Sequence, residues 1–141
     1  MVRILFIGDI VGRPGRDLVR RGLPALRDLH QVDLVIANAE NAAAGFGITR
    51  EIGEQLLDAG VDVMTSGNHI WDKREAIDYI GVEPRLLRPL NFPAGVPGRG
   101  QYIARTSGGV PVAVLNAMGR VFMLQIDDPF QGLAAAVREI G

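Results

Sequence analysis

Three short segments carry the residues with which this sequence could do chemistry: Gly8-Asp9, Asn38-Ala39-Glu40-Asn41 and Ser66-Gly67-Asn68-His69. Together they offer carboxylates, side-chain amides and an imidazole. Such oxygen and nitrogen donors hold divalent cations without thiolates. The sequence has no cysteine, which excludes a thiolate zinc site, a disulfide scaffold and a cysteine nucleophile. A carboxylate placed between two ions bridges them, as two-metal phosphoryl-transfer sites require.

Taken singly, most of these residues have ordinary explanations. Asp9 serves as readily as a turn or cap residue, and Asn41 and Asn68 suit Asx turns. His69, beside Ile70 and Trp71, could be a satisfied half-buried histidine. Glu40 is harder to set aside, because a carboxylate deep at a sheet edge needs a partner, and a metal or an arginine would serve. Their joint placement on three consecutive loops favours a site. Elsewhere the signals are weaker. His30 falls at a helix end, where imidazole interacts well with terminal carbonyls. Asp127 and Asp128 read as helix-start residues. Arg13 and Arg16 could approach a phosphate near the first loop, although a solvated arginine is the commoner case. The glycines at 8, 12 and 15 do not form GxGxxG, no P-loop lysine follows, and GxSxG is absent.

The elements that must position these groups follow from hydrophobic periodicity. Arg3–Ile7 is a short apolar run that suits a strand covered on both faces. After it, Pro14 fits a first helical turn, and Leu18, Val19, Leu23, Leu26 and Leu29 recur at helical spacing, with Gly22 and Pro24 weakening the middle. Asp33–Ala37 is a second strand. Thr49 caps a helix containing Ile52, Leu56 and Leu57, which Gly60 ends. Val61–Met64 is a third strand, and Asp72 with Glu75 makes a capping box for a helix through Ile80. Strand–helix alternation of this kind predicts a parallel sheet with right-handed crossovers, whose loops at the carboxyl ends converge on one edge. The proline- and glycine-rich stretch from Pro84 to Gly100 reads as an irregular connection. QYIARTS and VPVAVLNA then flank Gly108-Gly109 as an antiparallel hairpin. Asp128 before Pro129 starts a last helix towards Ile140.

The whole chain sets the outer bounds. Its 141 residues suffice for one domain, 1–141, and a formal net charge of −1 leaves no global basic field for nucleic-acid binding. Nearly half the residues are apolar, as in a globular protein. The short apolar start runs into Gly8 and Asp9 and reads as a strand, and no run approaches a membrane span. A cytoplasmic protein is the simplest expectation.

The runs ILFIGDIVGRPGR, ANAENAAAGFGIT, SGNHIWDKRE, NFPAGVPGRG and LNAMGRVFMLQIDDPF resemble the YmdB-like metallophosphoesterases, bacterial relatives within the calcineurin-like phosphoesterase superfamily. The order GDIVG, AENA, GNHIWD is highly specific, whereas GNH alone is shared more widely. The resemblance implies an α/β fold: the amino-terminal part of a four-layer αββα sandwich, with parallel βαβ units followed by a hairpin. It implies phosphodiesterase activity on a small phosphodiester, a cyclic nucleotide first, with two metal ions (iron or manganese before zinc) and no organic cofactor. Asp9 would ligate the first metal, Glu40 would bridge both, and Asn41 would add a ligand on the first-metal side. Asn68 would bind the second metal and touch the phosphate. His69 would face the scissile phosphate as transition-state stabiliser or general acid.

Members of that family are longer, and their later part supplies three histidine ligands, including an H-x-H pair. No histidine follows His69 here. The resemblance therefore implies a truncated domain with part of a site, binding metal weakly and hydrolysing little unless another chain completes it. Two other readings stay open: a non-catalytic Rossmann-like module holding a nucleotide or phosphate at helix N-termini, and an inactive structural fragment that forms homo-oligomers through uncovered apolar surface.

Overall fold

The structure, a computed structural model, describes residues 1–141. Its first half alternates strand and helix as the periodicity predicts: β1 (Ile4–Ile7), α1 (Gly12–His30), β2 (Leu34–Asn38), α2 (Arg50–Asp58), β3 (Val63–Thr65), a 3-10 turn (Asn68–Trp71) and α3 (Arg74–Val82). The strands form a parallel sheet in the order β1-β2-β3, with Ile7 opposite Ala37 and Asn38 opposite Thr65. That register brings the three carboxyl ends to one edge, so the loops that follow them leave the sheet side by side.

The two faces of this sheet are covered differently. On one face Val35, Ala37 and Met64 pack with Val19 and Leu23 of α1, Leu56 of α2, and Ala76, Tyr79 and Ile80 of α3 in one core. Burial pushes the Tyr79 phenol up to about 12. Its ring fills the space over Gly53, where an added Cβ would lie 2.4 Å from Cε1. On the other face Leu34 and Val63 pack with Leu87 and with Ala104 and Val114 of the hairpin β4 (Gln101–Arg105) and β5 (Pro111–Leu115). The hairpin is antiparallel, as its Gly108-Gly109 signal predicts: Gly109 takes φ +80°, and Thr106 and Val110 close the turn. Helices, parallel sheet and hairpin thus make three layers. A last helix, α4 (Pro129–Ile140), touches β5 but buries none of its residues.

Two predicted caps are present: Thr49 Oγ1 accepts from the Ile52 N–H at 3.2 Å, and Asp128 Oδ1 accepts from Phe130 and Gln131 at 2.9 and 3.1 Å. Other expectations need correction. β1 is not covered on both faces; it is the edge strand, and Ile4 and Phe6 are 48% and 61% exposed because the hairpin reaches only β2 and β3. In α1 only Val19 and Leu23 among the five apolar positions are buried, so its contact stripe is narrower than its sequence period. The helix nevertheless continues through Pro24, which lies on its exposed side. Asp72 does not cap α3, whose N-cap is Lys73, without a side-chain bond. The irregular stretch also has order: Leu86 bridges Met64 and Leu87 bridges Arg99, carrying the chain from the sheet to the hairpin.

Candidate active site

Each of the three loops begins where a strand runs out of partners, and each is tied to the next by its own backbone. Ile10 donates to the Asn38 carbonyl at 3.0 Å, Gly12 to that of Asn41 at 2.9 Å, and Ala39 to that of Thr65 at 3.0 Å. This lattice holds the side chains in place. Asn41 Nδ2 donates to Asp9 Oδ1 at 2.9 Å, joining the first loop to the second. Glu40 Oε2 accepts from the His69 backbone N–H at 3.2 Å, joining the second to the third. Glu40 is also held by Asn38, whose side chain donates to Oε1 at 3.3 Å and accepts from the Glu40 N–H at 3.2 Å. Asp9 with Asn41, and Glu40 with the His69 backbone, therefore form two bonded pairs, adjacent along the second loop, that link all three loops.

Glu40 has room only because residue 67 is glycine: a Cβ there would stand 2.5 Å from one carboxylate oxygen and 2.7 Å from the other. Glu40 and Asn68 open onto a cleft of about 540 Å³, bounded on one side by Asn38, Ser66 and Gly67 and on the other by Phe6, Asn116 and Met118. Asp9, Asn41 and His69 lie outside that lining, reached through these bonds. All five predicted site residues are thus gathered at one sheet edge, although only two face the cleft.

The donor chemistry suits a hard or borderline divalent ion. Asp9 and Glu40 supply carboxylates, Asn41 and Asn68 amide oxygens. Asn41 Oδ1 is buried with no hydrogen-bond partner, an orphaned acceptor beside the Asp9 carboxylate. A cation at the orphaned Asn41 oxygen would give it a partner; the Asp9 oxygen already accepts from the Asn41 amide nitrogen. No group of three His, Asp or Glu side chains converges.

Several positioning residues escaped the sequence reading. His69 Nδ1 meets Asp72 Oδ2 at 2.7 Å, so the residue expected to cap α3 orients the imidazole instead. Asn116, 8% exposed, donates from Nδ2 to the carbonyls of Ser66 at 2.7 Å and Leu87 at 3.1 Å, pinning the start of the third loop. Its signal was an asparagine directly after an apolar strand, the same pattern that marks Asn38. The Arg16 guanidinium donates to the Ala42 carbonyl and braces the second loop. Arg13 is solvated and pairs with Asp17 at 3.6 Å.

The family model described as YmdB-like protein matches residues 5–141. The chain is 47% identical over 129 residues to the 2',3'-cyclic-nucleotide 2'-phosphodiesterase of Bacillus subtilis (strain 168), covering 92% of this chain and 48% of that protein. Among solved structures, a hypothetical protein from Thermus thermophilus superposes with a TM-score of 0.91 at 43% identity, covering 98% of this chain and 53% of that one. A novel phosphatase from Mycoplasma pneumoniae gives 0.89 at 29% identity, covering 98% and 51%. The chain spans about half the length of the relatives it matches. With a family match across nearly all its residues, and with the loops of that resemblance linked by these bonds, the chain belongs to the YmdB-like family.

Proposed function

We propose that this chain carries the amino-terminal part of a metal-dependent phosphodiesterase site that acts on a cyclic nucleotide. The observation that carries the reading is the pair of bonds Asp9–Asn41 and Glu40–His69, which sets two carboxylates, an orphaned amide oxygen and an imidazole at one sheet edge. The name of the Bacillus subtilis relative supports the substrate class. On this reading the domain, 1–141, is one part of the four-layer sandwich, working in the cytoplasm; no helix here is long and apolar enough to cross a membrane.

Asp9, Glu40, Asn41 and Asn68 would hold two metal ions, iron or manganese. When bound, the ions supply charge to the phosphate oxygens and a water of lowered pKa. The residues of the chain do the rest. Glu40 is fixed by Asn38 and by the His69 N–H, so its carboxylate cannot swing away. Asn68, on the cleft wall, would donate to a phosphate oxygen. His69 Nδ1 is engaged by Asp72, so in the imidazolium form Nε2 carries the second proton, the one that would go to the departing oxygen and leave a neutral ring with Nδ1–H on Asp72.

The test is hydrolysis of a nucleoside 2',3'-cyclic phosphate by the protein carrying this sequence, with manganese, in Glu40→Ala, Asn68→Ala and His69→Ala variants. Each change should lower kcat/KM by about 100-fold or more, as loss of a positioned acid or electrostatic group does. Unchanged activity in all three would refute the assignment.

A further inference from the structure

The second loop ends in a feature that the bonds above do not use. Its base is fixed: Ala42, Ala43 and Ile48 are buried, Ala43 donates to the Gly47 carbonyl at 2.9 Å, and Gly45 donates to that of Asn41 at 3.1 Å. Arg16 braces it from α1 through the Ala42 carbonyl. Between Gly45 and Gly47, both at positive φ (+95° and +74°), the loop holds Phe46 outward with 58% of its surface in water. Gly47 lies directly on the 3-10 turn, where a Cβ would meet Lys73 Cγ at 2.9 Å and the His69 carbonyl at 3.3 Å. This contact sets the Phe46 ring beside the His69 imidazole, centroids 5.3 Å apart at 69°.

A single exposed aromatic is ordinary, but this one is held on a braced loop against the His69 imidazole. Where that imidazole faces a phosphate, as the phosphodiesterase reading has it, the ring has a use. A nucleotide whose phosphate lies at His69 carries its base one ribose away, and every base has a π face that an aromatic side chain can stack on. We propose that Phe46 is a specificity-determining residue that stacks on the nucleobase of the substrate. The inference rests on the phosphodiesterase reading above and deepens it: Phe46 selects nucleotides over base-free phosphodiesters, discriminates little among bases, and takes no part in the chemistry.

The test compares two ligands that differ only in the base, adenosine 2',3'-cyclic phosphate and 1-O-methylriboside 2,3-cyclic phosphate, by calorimetry with manganese present. The wild-type protein should bind the adenosine ligand on the order of tenfold more tightly, the lower part of the range for one stacked base. Phe46→Ala should bring the two affinities within about twofold by weakening the adenosine ligand alone. Phe46→Trp should keep the preference, and its added fluorescence should be quenched by the adenosine ligand and not by the methylriboside. Phe46 is exposed, so neither change threatens folding. Equal binding of the two ligands by the wild type, parallel weakening of both in Phe46→Ala, or no selective quenching in Phe46→Trp would overturn the proposal and leave the phosphodiesterase reading standing. Failure of the wild type to bind either ligand would overturn both.

Discussion

The two faces of the parallel sheet are built to different degrees of completion. The helical face carries a core of 16 buried residues drawn from α1, α2, α3 and the segments between them. The hairpin face carries a core of five, and at its β1 end Ile4 and Phe6 are uncovered. The candidate site straddles the two. Its loops are anchored by backbone bonds on the helical side, while its cleft opens on the hairpin side between Phe6 and Met118. The loops are thus tied to one another by backbone bonds and the third is also pinned from the hairpin side by Asn116, the side on which access opens.

That contrast can be broken in graded ways. Leu23→Ala, in the helical core at 1% exposure, should cost about 3–4 kcal/mol in urea denaturation. A cost below about 1 kcal/mol would mean that the helical face is not the main support. Asn116→Ala should cost about 2 kcal/mol, because it leaves the Ser66 carbonyl unpaired, while the Leu87 carbonyl keeps the Ser66 hydroxyl at 2.7 Å. It should also weaken manganese binding by freeing the third loop, which separates a site-positioning role from a merely structural one.

A smaller effect comes from the crossing between the faces. There the Arg85 guanidinium, bonded to Glu83 at 2.8 and 2.9 Å, holds the Glu83 carboxyl below the usual carboxylate range. A depressed folded pKa stabilises the protein fully above the unfolded value, and the benefit is lost as pH falls through the folded value. Glu83→Gln should therefore cost about 1 kcal/mol at neutral pH, discounted for the partly exposed arginine. It should also flatten the fall in stability at acid pH below the ordinary glutamate range. Phe6→Thr should lie within about 0.5 kcal/mol of the wild type. A loss matching that of Leu23→Ala would show that the β1 end of the hairpin face is covered in solution.

Much of the fold was legible because local rules and tertiary context agree there. The apolar runs of β2 and β3, the Thr49 and Asp128 caps and the Gly108-Gly109 turn each depend on a few neighbouring residues. Where the reading failed, the deciding partner was distant or of another kind. The exposure of β1 depends on how far the hairpin reaches, which no local pattern encodes. Asp72 satisfied a capping-box pattern with Glu75, yet His69, on the preceding turn, claimed its carboxylate at 2.7 Å. The gathering of Asp9, Glu40, Asn41, Asn68 and His69 at one edge was legible because strand ends predict convergence. Asn116 carried the same cue as Asn38, an asparagine after an apolar strand, but its partner, the Ser66 carbonyl 50 residues earlier, carries no sequence signal.

The central claim is that three loops form one metal-binding half-site around Glu40. Calorimetric titration of manganese into the chain and into its Glu40→Ala variant tests it most directly. The account predicts saturable binding by the wild type that is lost in the variant while the fold, monitored by circular dichroism, is retained. Wild-type protein that takes up no manganese, or a Glu40→Ala variant that binds it as well as the wild type does, would contradict it.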